Sequence, residues 1–96
     1  MIVGQIVTLR INAGNAAEFE AVARDAVAKV TAEEPDTPVY RLCRMSEEGT
    51  YRFVEMFKSQ AAMDAHNEGA GKRPELAQLG GMFLGPPEIE LISIVA

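Results

Sequence analysis

The stretch Ile2–Ile11 is apolar on both parities, with Val3, Val7, Leu9 and Ile11 on one and Ile2 and Ile6 on the other. Valine and isoleucine favour extended backbone, and successive side chains of a strand point to opposite faces. A strand that is apolar on both faces is covered on both. The chain has 96 residues, one domain's worth, and is read as a single domain over 1–96. A domain of this size buries only about two-thirds of the surface its unfolded chain exposes. Its own helices can cover one side of the strand. The other side calls for a second copy.

The remaining pattern places those helices. Asn12-Ala13-Gly14-Asn15 is a turn cluster. Asn15 and Glu18 have capping-box spacing, so a helix is expected to start there. Ala16, Phe19, Val22, Ala23, Ala26, Val27 and Val30 recur at helical spacing, and the Glu33–Pro38 segment, with two prolines, ends the helix. Val39–Met45 and Tyr51–Phe57 alternate as two strands of a hairpin around Ser46–Gly49. Ser59 is positioned to cap a helix from Gln60 to about Glu68, on which Ala62, Met63, Ala65 and His66 share a face. Pro74 suits the first turn of a further helix to about Leu84, and Glu88–Val95 reads as the last strand. The order strand, helix, strand, strand, helix, strand is the α+β, ferredoxin-like βαββαβ plait. Its four-stranded antiparallel sheet carries helices on one face. Two such sheets packed through their open faces make a homodimer, the dimeric α+β barrel.

Composition narrows the partners. The net charge is −5, which repels phosphate backbones and anionic lipid, and the basic residues form no block. No nucleic-acid or membrane role is expected. The N-terminus shows no basic leader followed by an apolar core, and no apolar run approaches the ~20 residues that span a bilayer. A single cysteine, Cys43, excludes an internal disulfide. A cytoplasmic location is expected.

Few residues offer chemistry. His66 is the only histidine, and either of its protonation states is reachable near neutral pH. On the apolar helix face it reads as a core-edge histidine, or as a base or donor in a cleft. Glu55 stands mid-strand between Phe53 and Phe57, a costly place for a carboxylate unless it is paired. Arg44 or Arg52 could pair with it, or it could orient His66. Tyr40, Tyr51, Phe53 and Phe57 form an aromatic set that suits core packing and equally a small aromatic ligand. One histidine with no nearby cysteine or clustered carboxylates gives no metal set of recognisable spacing. There is no phosphate loop, dinucleotide fingerprint or nucleophile elbow, so no cofactor is expected.

The segment TPVYRLCRMSEEGTYRFVEMFKSQAAMDAH resembles the central signature of the antibiotic biosynthesis monooxygenase family. That signature is a tyrosine-bearing strand, a short acidic loop, a strand ending Glu-x-aromatic, and a helix with histidine nine residues past the aromatic. Tyr40, Glu55, Phe57 and His66 match it. The flanks RINAGNAAEFEAV and LGPPEIELISIVA are similar to the family's first helix and closing strand. The resemblance implies a homodimer with a ligand cleft between helices and sheet in each subunit. It also implies oxygenation of a phenolic or quinol-type ring by O2 without a cofactor. His66 would be the base and Glu55 its orienter, with Phe57, Tyr40, Tyr51, Phe53 and Met63 lining the substrate. Two alternatives share the scaffold. One is a non-catalytic small-molecule-binding dimer. The other is a further reaction of the superfamily, such as isomerisation or haem breakdown. The chain departs from the family in having Phe57 where tryptophan is common. The first strand holds Gln5 and lacks the asparagine of the haem degraders.

Overall fold

The computed structural model describes residues 1–96. Its elements are β1 (Val3–Arg10), α1 (Ala16–Glu33), β2 (Val39–Arg44), β3 (Thr50–Phe57), α2 (Gln60–Ala70), α3 (Pro74–Gly80) and β4 (Glu88–Ser93). All strand pairs are antiparallel, and the sheet order is β2-β3-β1-β4. This is the ferredoxin-like plait, with all three helices on one face.

The core forms where the stripe of α1 meets that face. Phe19, Ala23, Ala26 and Val30 are buried at helical spacing and pack on Leu9, Tyr40, Tyr51 and Phe53. Phe19 and Val30 are fully enclosed, and the Phe19 ring lies 4.8 Å from that of Tyr51. Leu79 of α3 closes one end, where Ile11 bridges to Phe83. By strand alternation the opposite face presents Ile6, Val54, Met56 and Ile92, half-buried, with Ile2 and Ile94 exposed at its margin. No helix of the chain crosses it. None of the helices is long and apolar enough to cross a membrane.

Two local expectations change. Asn15 makes no side-chain cap to α1. A 3-10 turn over Ala13–Asn15 precedes the helix, and Asn12 caps that turn by accepting from the Gly14 N–H at 2.9 Å. Asn15 is itself the last residue of that turn, at φ −101° and ψ 7°, and lacks the extended backbone from which an N-cap side chain reaches back to the helix. The second change is at α3, which stops at Gly80 rather than about Leu84, because the chain turns through Gly80-Gly81 to bring Leu84 N–H onto the Arg10 carbonyl at 2.9 Å. Ser59 does cap α2, its Oγ accepting from Ala62 N–H at 3.1 Å.

Two glycines are required by geometry. A Cβ on Gly4 would collide with the Glu55 carbonyl oxygen and press on Ile92, so β1 can sit this close to β3 only without a side chain there. Gly49 ends the hairpin loop at φ +79°, and a Cβ there would lie 2.6 Å from the Ile11 carbonyl oxygen. Gly49→Ala is therefore expected to destabilise the fold by about 1–3 kcal/mol, measured by urea unfolding. A variant as stable as the parent would contradict the strain assigned to that turn.

Candidate active site

Strand register brings the site together. Gln5 pairs across the sheet with Glu55 on one side and Leu91 on the other, and Glu55 pairs with Tyr40. A row Leu91, Gln5, Glu55, Tyr40 thus runs across the helix-covered face, with α2 above it. Met63 and His66, one turn apart on α2, are its buried residues. His66 sits over Glu55 between two rings, 5.2 Å from Tyr40 and 5.3 Å from Phe57.

Both ring nitrogens of His66 face carboxylates. Nδ1 lies 2.7 Å from Glu34 Oε1, and Nε2 lies 3.4 Å from Glu55 Oε1. Glu34 is the C-cap residue of α1. It is held from its other side by Arg73, whose Nε and Nη2 lie 3.1 and 3.0 Å from Oε2. Arg73 also binds Glu33 at 2.8 Å. At the far end Gln5 donates to Glu55 Oε1 at 2.8 Å and exchanges amide hydrogen bonds with Asn67, at 2.8 and 3.2 Å. The result is one chain of contacts, Arg73–Glu34–His66–Glu55–Gln5–Asn67, which ties α1, α2, β1 and β3 together.

A neutral imidazole carries one N–H and so satisfies only one carboxylate. With Nδ1–H given to Glu34, the Nε2–Glu55 contact needs a proton of its own, on the ring or on the carboxyl. Burial is the main influence on Glu55 and raises its pKa, opposed by the Gln5 hydrogen bond and the charge of His66. Burial likewise pushes the Tyr40 hydroxyl up, with the Glu55 and Glu34 charges adding to it, so Tyr40 stays a neutral phenol. A shallow cleft of about 280 Å³ reaches His66 between the end of α1 and α2, with Glu34, Thr37, Ala65 and Arg73 around it. No group of three or more His, Cys, Asp or Glu side chains is arranged to hold a metal ion.

The expected residues divide between two places. His66, Glu55, Phe57, Tyr40 and Met63 meet at the α2 end of the sheet. Phe53 bridges toward α1, its ring 5.3 Å from Tyr40. Tyr51 lies on the α1 side, where its hydroxyl donates to Glu20 at 2.6 Å. Arg44 takes that same carboxylate, with Nη2 at 2.7 Å, rather than pairing with Glu55. Hydrogen bonds from Arg44 and Tyr51 hold Glu20 down at about 2. The sequence alone does not mark Glu34, Arg73 or Asn67 as site residues. Gln5 left a signal, since it is the polar member of the strand parity that carries Val3, Val7 and Leu9. Glu34 and Arg73 left none, because each reads as a surface charge beside a proline or glycine break.

The carboxyl of Glu55 makes a pH test. A group with a raised folded-state pKa stabilises most below its unfolded value, and that stability is lost as pH climbs through the folded value. Stability is therefore expected to fall as pH rises from 4.5, until Glu55 has ionised. Glu55→Gln keeps the acceptor for Gln5 and removes the ionisation. Urea unfolding from pH 4.5 to about pH 8 should show a flatter profile for the variant. Parallel profiles would mean that Glu55 ionises in the fold without cost.

The sequence profile of the antibiotic biosynthesis monooxygenase family matches residues 2–71. Among curated proteins none matches the chain. A Caulobacter crescentus protein assigned as an antibiotic biosynthesis monooxygenase is 36% identical, with 99% of this chain and 91% of that one covered and a TM-score of 0.84. SnoaB, a cofactor-independent oxygenase from Streptomyces nogalater, shares the fold at 20% identity, with 97% and 92% covered and a TM-score of 0.78. A Bordetella bronchiseptica protein with the same family assignment shares it at 20% identity, with 99% and 98% covered and a TM-score of 0.81. The family profile spans most of the sequence and the Caulobacter likeness nearly all of it, so the chain belongs to the antibiotic biosynthesis monooxygenase family.

Proposed function

We propose that the chain is a cofactor-independent monooxygenase that oxidises a small phenolic or quinol-type ring with O2, and that it works as a homodimer. The reading rests on His66 held between two carboxylates at the base of a cleft that Arg73 also lines. A phenol entering this cleft meets a guanidinium that stabilises its anion and a Glu34–His66 pair that takes its proton. Glu55 lies behind the ring, 3.4 Å from Nε2. The electron-rich phenolate passes one electron to O2, and the resulting radical and superoxide join as a ring C–O–O bond. The O–O bond then breaks. One oxygen becomes the new carbonyl, and the other leaves as water with the ring hydrogen and the phenolic proton. Phenol and O2 thus give quinone and water with no external reductant. Tyr40 and Phe57, on either side of His66, keep the proton acceptor dry.

One observation favours the non-catalytic binding reading. The His66 side chain is 3% exposed and both its nitrogens are engaged. Oxygen uptake separates the two. Wild type with a panel of naphthols and naphthohydroquinones should consume O2, and His66→Ala should lower kcat by about 100-fold or more. Ligands that bind without oxygen uptake, or equal rates in the two proteins, would sink the oxygenase.

The dimer is supported by the uncovered sheet face with Ile6, Val54, Met56 and Ile92 at its centre. On sizing chromatography the chain should elute at twice its mass. Met56→Arg should shift it to one mass, since an unpaired charge buried in an apolar interface costs several kcal/mol. A wild-type monomer at micromolar concentration would contradict the arrangement.

A further inference from the structure

A second cavity, more than twice the volume of the cleft at His66, lies away from it. It is a groove of about 670 Å³ between α1 and the edge strand β2, within the usual range for small-molecule sites. Its floor is Ala23, Val27, Ala28 and Leu42. It shares no residue with the cleft at His66.

The charges around it are unbalanced. Arg24, Arg41 and Arg44 line the groove against the single carboxylate of Glu20, in a chain whose net charge is −5. That carboxylate is already taken. Arg44 grips both its oxygens at 2.7 and 2.8 Å, and Tyr51 donates to it at 2.6 Å. The cations have capacity left. Arg24 touches Glu20 only at 3.4 Å and is 74% exposed, and Arg41 is in no ion pair. Each guanidinium offers five N–H donors in a fork that fits a carboxylate. A cation would meet repulsion here, and a neutral apolar molecule would leave the arginines unused.

We propose that the α1–β2 groove is a second ligand site, which takes an amphipathic monocarboxylate: an apolar aliphatic or aromatic body on the Ala23–Leu42 floor, with its carboxylate against Arg24 and Arg41. The site goes beyond the oxygenase reading and does not depend on it.

Backbone amide NMR of the full chain, titrated with decanoate and separately with 1-naphthoate, tests the site. Signals of residues 23–32 and 41–44 should move and saturate. The tighter of the two probes identifies the aliphatic or the aromatic source. Decan-1-ol should bind at least about tenfold more weakly, the difference expected for a charge-assisted hydrogen bond. Arg24→Glu and Arg41→Glu should each weaken the carboxylates about tenfold or more. Ala28→Trp, which fills the groove without changing charge, should abolish binding, while His66→Gln should leave it unchanged. The site is overturned if neither carboxylate moves those signals at about millimolar concentration. It is equally overturned if the shifts map to α2 and β4, or if the charge-reversal and Ala28→Trp variants, folded by circular dichroism, bind as wild type does.

Discussion

One sheet with two apolar faces, and helices enough for one of them, sets the terms for this chain. The stripe Phe19, Ala23, Ala26, Val30 docks α1 onto Leu9, Tyr40, Tyr51 and Phe53, and burial of that apolar area supplies most of the driving force that a chain this short has. Strand order and register follow from the need to present those residues on the same side. Once register is set, alternation puts Gln5 and Glu55 inside as well, because both belong to the inward parity. The polar row under α2 is thus a consequence of the same pairing that builds the core.

That row is expensive, and the way it is satisfied explains the local architecture. A buried carboxylate needs donors. Glu55 obtains one from Gln5 and lies 3.4 Å from His66 Nε2. His66 in turn needs an acceptor at Nδ1, which Glu34 provides from the end of α1. Arg73 then neutralises Glu34 from the turn after α2. Each partner comes from a different element, so the chain of contacts fastens the helix ends to the sheet. It also gathers, at one cleft, a guanidinium, an imidazole and a carboxylate. The proposed oxygenation rests on that grouping.

The α1 side of the sheet is organised differently. Glu20 is held by Arg44 and Tyr51 near the surface, where its ionisation is easy and its charge fully used. This separation of Tyr51 from His66 divides what reads in sequence as one aromatic set into two environments, one closed and one open to a groove.

The local pattern determined the element order and the apolar stripe of α1, because these depend on periodicity alone; with both parities of β1 apolar, packing chose which one faces the helices. The pattern also marked Glu55 and His66, since a carboxylate between two phenylalanines and a lone histidine on an apolar helix face are conspicuous without a fold. Tertiary structure alone decided the partners. Glu34 and Arg73 stand 32 and 7 residues from His66. They reach the site only because α1 ends and α3 begins above the same corner of the sheet. The same holds for Tyr51, whose strand neighbours suggest a shared pocket with Phe53 and Phe57. Its position along β3 carries it under α1, to Glu20. Distance along the sequence does not predict which charges meet, since the cost of burying a charge is settled in three dimensions by whichever elements pack over it.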